Sequence, residues 1–147
     1  MNSTPTKVVR RHCYHDVWKR ARLLANLIFE ASKNFPKEET YSLTDQVRRS
    51  SRSVTANIAE AWQKRRYEAA FVNKLTDSAA EAAETQDWLI HAADCGYISK
   101  KECSDLVKKY EELLKTLHAM MLYAAQWCKP VSNHKPQTTS HMQARSE

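Results

Sequence analysis

The sequence predicts an all-α fold, an up-down-up-down antiparallel four-helix bundle, and three observations carry the prediction. The 147-residue chain contains a single glycine, Gly96, and four prolines. Sandwiches and barrels need glycine-rich turns every ~8–12 residues, and nucleotide-binding α/β folds need a glycine-rich phosphate loop, so both are excluded. The prolines stand at positions 5, 36, 130 and 136, leaving residues 37–129 without one and rich in Ala, Leu, Glu, Lys and Arg, the strong helix formers. Within that stretch and just before it, apolar residues recur at spacings of three and four. A chain of this length is one domain, long enough to bury about 70% of its unfolded surface.

The elements follow in order. Residues 1–13 read as a basic N-terminal arm, polar and without periodicity. Helix one spans about Tyr14 to Asn34, with Val17, Ala21, Leu24, Ala25, Ile28 and Ala31 on one face. Trp18, Leu27 and Phe29 widen that face to an arc of roughly 200°, against ~100° for a simple surface helix, which points to apolar surface buried between subunits. Phe35-Pro36-Lys37 ends it. Ser42 is the expected N-cap of helix two, with Asp45 three residues on as a weak capping box.

Helix two runs from about Leu43 to Lys64 on a stripe of Leu43, Val47, Val54, Ile58, Ala61 and Trp62, with Ser50 and Ser51 in its gap. Helix three runs from about Tyr67 to Asp94 on Val72, Leu75, Ala79, Ala82, Gln86, Leu89 and Ala93, and its small central residues admit a close helix neighbour. Gly96 is the stop expected just past a helix C-terminus, and Ile98-Ser99-x-x-Glu102 supplies a staple position and a full capping box. Helix four then runs from about Lys100 to Cys128 on Leu106, Tyr110, Leu113, Leu117, Met120, Ala124 and Trp127. The bundle therefore occupies 14–128, and residues 129–147 read as a disordered C-terminal tail with almost nothing to pack.

Charge is unevenly placed. The net charge is +6 with a pI near 9.2. Residues 1–66 carry 14 Lys and Arg against 6 Asp and Glu, whereas residues 67–147 carry 9 against 11. Nine of the ten arginines fall in the first 66 residues. Guanidinium forks pair bidentately with phosphate, so an arginine-rich half implies a polyanionic partner. There is no apolar core of a secretory signal, and the longest apolar run, Ala119 to Ala125, is far short of the ~20 residues of a membrane span. Cys13, Cys95, Cys103 and Cys128 show no CxxC spacing and read as reduced thiols in a cytoplasmic protein without membrane attachment.

Catalytic and metal signals are sparse. Four-helix di-iron sites need Glu-x-x-His pairs, and none occurs. His12, Cys13 and His15 could hold zinc only with a ligand from elsewhere. His91 and His118 sit on amphipathic helices, and nothing marks a nucleophile–base pair. The expected protein is non-enzymatic, with no cofactor and no metal.

The strongest constellation is electrostatic. Arg48, Arg49 and Arg52 on helix two, followed by Trp62-Gln63-Lys64-Arg65-Arg66-Tyr67 at the next corner, gather six positive charges among aromatics. Such patches neutralise phosphates and offer rings to unpaired bases. Arg20 and Arg22 on helix one extend the candidate nucleic-acid surface. The competing reading is a solvated face ion-paired to Asp45 or Glu60, with Trp62 packed in the core or between subunits. Asn57 lies at the edge of the apolar stripe, where an unpaired amide is costly, so it is expected to bond a neighbouring helix or subunit, and Glu60 is expected to be structural.

These residues also carry a resemblance. Phe35-Pro36-x-Glu38-Glu39-x-Tyr41-x-Leu43-x-x-Gln46-x-Arg48-Arg49-Ser50, continuing through Ser53-Val54-x-x-Asn57-Ile58-Ala59-Glu60, resembles the signature of a bacterial four-helix-bundle family encoded in intervening sequences of large-subunit ribosomal RNA genes. More distant relatives are accessory variability proteins of diversity-generating retroelements. The likeness spans about residues 14–128 and implies a homopentameric barrel with a basic surface and no catalytic residue. For the retroelement relatives it implies a role in binding a reverse transcriptase and nucleic acid. Gln46, Arg48, Arg49, Ser53, Asn57 and Glu60 match the motif, whereas Ala61 and Asp77 stand where the family often has glycine. The expected function is oligomeric binding of RNA or DNA through the basic surface of helices one and two, and the alternative is a retroelement accessory subunit.

Overall fold

The structure, a computed structural model, describes residues 11–128. The regions assigned to the arm at 1–10 and the tail at 129–147 lie outside the described residues. Four long helices, α1 (Asp16–Ser32), α2 (Leu43–Gln63), α3 (Glu68–Asp94) and α4 (Lys100–Leu122), are followed by a short α5 (Ala124–Trp127). Single 3-10 turns at His12–Tyr14 and Lys37–Glu39 precede α1 and α2. Among the described residues no strand occurs, and no helix is long and apolar enough to cross a membrane.

Cross-helix contacts give the topology. Ser50 bonds Thr85 while Ser78 bonds Val54, so α2 and α3 run in opposite directions. Gln86 reaches Val107 and Cys103 reaches Leu89, which makes α3 and α4 antiparallel too. Arg48 bonds Ser32 near the end of α1, while Trp62 lies against His15 at its start. The bundle closes where Arg20 of α1 reaches Thr116 of α4.

The helix ends have identifiable causes. Gly96 takes φ +77°, with Gly96 N–H bonded to Ala93 O at 3.0 Å and Tyr97 N–H to Ala92 O at 2.9 Å. This paired closure satisfies the last carbonyls of α3 and needs a residue without Cβ. Ser99 then accepts the Glu102 N–H at 3.0 Å, as the capping box predicts. The start of α2 differs from expectation. Ser42 does not cap it, because its backbone (φ −122°, ψ −102°) is off the extended N-cap geometry. Its hydroxyl donates instead to Glu39 Oε2 at 2.7 Å, and that carboxylate also accepts the Leu43 N–H at 3.0 Å. The Ser42 and Leu43 hydrogen bonds hold the Glu39 carboxyl below its ordinary pKa. Helix four also stops early, at Leu122. The kink at Tyr123 keeps Ala124 and Cys128 buried while Trp127 turns toward His15.

The core is built from the predicted stripes of α1, α2 and α4, with Ile28, Val47, Val54, Leu113 and Leu117 almost fully enclosed. Two sets differ from the predicted faces. Leu27 on α1 is 42% exposed and its neighbour Leu23 is 63% exposed, because α1 buries only the faces toward α2 and α4 within one chain. On α3, Phe71, Ser78, Thr85 and Ala92 are buried with the predicted Leu75, Ala79, Ala82 and Leu89, while Val72, Gln86 and Ala93 are half-buried. Helix α3 touches both α2 and α4, so its buried stripe is wider than the three-four pattern and takes in small hydroxyls. Ser50, Ser78 and Thr85 are fully buried, and their size lets α2 and α3 approach closely. Asp77 lies on the surface within 3.6 Å of Lys74, which also pairs with Glu60 of α2.

Candidate nucleic-acid interface

The helix period divides the three arginines of α2. Arg48 and Arg52, four residues apart, share a face turned toward α1. Arg48 donates its Nε to Ser32 Oγ at 2.7 Å and lies 4.8 Å from the Phe29 ring centroid, with the Arg52 guanidinium at 5.6 Å. Among the described residues no carboxylate pairs with either. Arg49 stands about 100° further round the helix and faces α3. It pairs with Glu84 at 2.9 Å and Glu81 at 3.6 Å, and touches Gln46 Oε1 at 3.3 Å. The expected partners Asp45 and Glu60 are not the ones used. Glu60 stands about three turns beyond Arg49 along α2, out of its reach, and pairs with Lys74 of α3 at 2.9 Å. Asp45 lines the shallow surface around Arg48, Arg49 and Arg52, while the Arg49 guanidinium is drawn to the two carboxylates of α3.

The acidic side of the Arg49 contact is strained electrostatically. Burial raises the Glu81 pKa first, and the adjacent Glu84 raises it further, with Arg49 acting in the opposite direction. Glu81 Oε2 is buried without a hydrogen-bond partner. Arg49 is therefore a structural counter-ion more than a free phosphate contact.

The second basic cluster stands at the far end of α2. Arg52 and Lys64 are separated by about 18 Å of helix axis, so the six charges form two groups and not one patch. Lys64 and Arg66 are exposed, and Arg66 lies 5.6 Å from the ring of Tyr67, itself 64% exposed. Arg65 donates to Trp62 O at 2.7 Å and stacks 4.1 Å from the Trp62 ring. Trp62 is 7% exposed and packs edge-on to His15 at 4.1 Å, which gives the core reading for that residue. On α1, exposed Arg22 lies 5.8 Å from Trp18 on the side of Phe29, whereas Arg20 turns to α4 and bonds Thr116 at 2.8 Å. The sequence places Arg20 and Arg22 together; the structure separates them. Asn57 Nδ2 donates to Ser53 O at 2.9 Å within its own helix, and not to a neighbouring one, because that carbonyl lies one turn back on the same face.

Several functional neighbours escape sequence reasoning. Phe29 and Ser32 look like packing residues, and the available signal is Lys33, four residues after Phe29 on the same face, whose Nζ lies 4.9 Å from the ring. His15 is 6% exposed with Nε2 lacking a partner, and its pKa is lowered by burial first and Arg65 second. His12, at the start of the same turn, packs on Trp18. Among the described residues no group of three or more His, Cys, Asp or Glu side chains is placed to hold a metal ion. Burial raises the thiol pKa of Cys103 and Cys128.

The fold defines a class, an antiparallel bundle of four long helices, here with guanidinium and ammonium groups exposed on α1, α2 and the following corner. Within that class, the chain belongs to the family of 23S rRNA-intervening sequence proteins, whose model matches residues 14–119. Among solved structures it is similar to a protein of unknown function from the S23 ribosomal protein family of Bacteroides thetaiotaomicron. The two are 28% identical, with a TM-score of 0.65 over 72% of this chain and 95% of that one. No curated protein matches the chain significantly.

Proposed function

We propose that this chain is a non-enzymatic, oligomeric nucleic-acid-binding protein that contacts phosphate backbones through its basic α1–α2 side. The observation that carries this reading is the pair Arg48 and Arg52, two guanidinium groups beside each other with no carboxylate partner among the described residues. Arg22 adds exposed charge on α1, and Lys64 and Arg66 form a second exposed group about 18 Å further along the axis of α2. The family's description ties its members to intervening sequences of 23S rRNA, which makes RNA the first polyanion to test. The exposed Leu23 and Leu27 lie on the outer rim of α1, beside Lys109 and Glu112, and support assembly through that rim while the arginines stay open. The family resemblance implies a five-membered barrel, which would repeat the basic half of the chain fivefold and add avidity.

The test is native mass together with RNA binding by fluorescence anisotropy between about 50 and about 200 mM salt. A pentamer whose affinity falls steeply with salt is expected. Arg48→Ala with Arg52→Ala should flatten the slope by about 1.4, from ~0.7 per phosphate contact on single strands. Salt-independent or undetectable binding refutes the proposal. The alternative of a retroelement accessory subunit uses the same surface, and co-purification with a reverse transcriptase would decide for it.

A further inference from the structure

Three cations converge on one ring. Lys33, Arg48 and Arg52 lie 4.9, 4.8 and 5.6 Å from the Phe29 centroid, on the exposed seam between α1 and α2. The carboxylate bonded within this cluster is Glu30, on Lys33 at 3.2 Å. Like charges this close repel unless something compensates, and the quadrupole of a phenyl face offsets only part of that. The orientation is fixed as well. Ser32, 2% exposed, accepts from Arg48 Nε at 2.7 Å and itself donates to Phe29 O at 3.0 Å. With Nε committed, the two terminal nitrogens of Arg48 have no protein acceptor among the described residues, and neither has the guanidinium of Arg52. A guanidinium tied at one edge and stacked on its face presents its remaining edge to a ligand, the geometry that recognises phosphate bidentately.

We infer that the α1–α2 seam over Phe29 is a discrete phosphodiester site, in which Phe29 and Ser32 position Arg48 and Arg52 and Lys33 completes the charge. The inference rests on the RNA-binding reading above and adds to it two uncharged positioning residues. That gives it a distinctive signature. Removing an uncharged side chain leaves the net charge intact, so a general electrostatic surface predicts an unchanged salt slope. A built site predicts a shallower one, because the guanidinium no longer meets its phosphate.

The experiment uses the full chain and a dye-labelled single-stranded oligouridine, with Phe29→Leu, Ser32→Ala and Phe29→Tyr compared with wild type across the same salt range. Folded Phe29→Leu and Ser32→Ala should each flatten the slope by about 0.7, the share of one phosphate on a single strand, equivalent to a roughly fivefold weaker affinity near 0.1 M salt. Phe29→Tyr keeps the ring face and should keep the wild-type slope. Because Ser32→Ala tests the site without touching the ring, a failure of Phe29→Leu to fold leaves the outcome decidable. Steep wild-type binding with slopes unchanged in both variants overturns the site and leaves the RNA-binding reading standing. Absence of salt-dependent binding by the wild type overturns both.

Discussion

Arg49 offers the sharpest separation of structural from ligand-binding charge. Replacing it with Met keeps an unbranched apolar stem while removing the guanidinium that sits 2.9 Å from Glu84 and 3.6 Å from Glu81. The three side chains are 47%, 32% and 22% exposed, so each pair is screened and worth about 0.2–1 kcal/mol. To those two contacts is added the Glu81–Glu84 repulsion that Arg49 no longer offsets, for a total of about 1–2 kcal/mol at neutral pH. The cost has a pH signature. Glu81 already has a raised pKa in the folded protein through burial and Glu84, and removing Arg49 raises it further. A carboxyl with a raised folded pKa binds its proton more tightly when folded, so the mutant gains more stability than wild type as pH falls through that pKa. Urea denaturation followed by circular dichroism, at fixed protein concentration, should show the full deficit near pH 7 and a much smaller one near pH 4, in the ordinary carboxylate range. The same variant should leave the salt slope of RNA binding unaltered. A deficit that does not change with pH, or a salt slope flatter than that of wild type, would refute the assignment.

Two further outcomes follow from the ends of the bundle. His15 has a lowered pKa because it is buried beside Trp62 and Trp127, with Arg65 and His12 opposing its charge and Asp16 favouring it. Its contribution to stability is complete above about pH 6.5 and is lost as pH falls below that value, when the unfolded chain takes up the proton first. Thermal melts at about pH 7.5 and about pH 5.5 should therefore show a larger drop for wild type than for His15→Phe; equal drops would exclude His15 as the group responsible. At Gly96, a Cβ would meet nothing within 4 Å, so Gly96→Ala reports backbone strain at φ +77° alone. It should cost about 1–2 kcal/mol in urea denaturation, and Gly96→Asn less.

Sequence reasoning succeeds where a local rule coincides with a tertiary need. The stripe of α2, including Ser50 and Ser51 in its gap, is legible because that helix faces the core over one continuous arc. The α3–α4 corner is legible because Gly96 and Ser99 satisfy backbone groups within a few residues of themselves. Ser42 misleads because the competing cap, Glu39, approaches from the preceding turn, and no propensity rule for the helix itself sees it. The break at Tyr123 is invisible for a related reason. The three-four pattern continues through Ala124 and Trp127, whereas after the break Trp127 meets His15 and Ala124 and Cys128 are buried, contacts that no local pattern encodes. Phe29, Ser32 and Lys33 become a cluster only once the antiparallel pairing of α1 and α2 sets Arg48 and Arg52 over them.

The division of the arginines has a general cause. A run of like charges on a bundle helix reads in sequence as a single patch, but successive residues are 100° apart and meet different neighbours. Arg49 turns toward the acidic edge of α3 and is neutralised there, whereas Arg48 and Arg52 turn toward α1, where an aromatic face and a hydroxyl replace carboxylates. Counting arginines therefore overstates the charge available to a ligand. What matters is the composition of the helix each one faces. By the same reasoning Arg65 is drawn onto Trp62 at the end of α2, while Lys64 and Arg66, at a corner without a facing helix, stay exposed. Among the described residues, the arginines of α2 and its following corner that remain open are those whose neighbours are aromatic or absent, which is the arrangement the proposed phosphate contact would use.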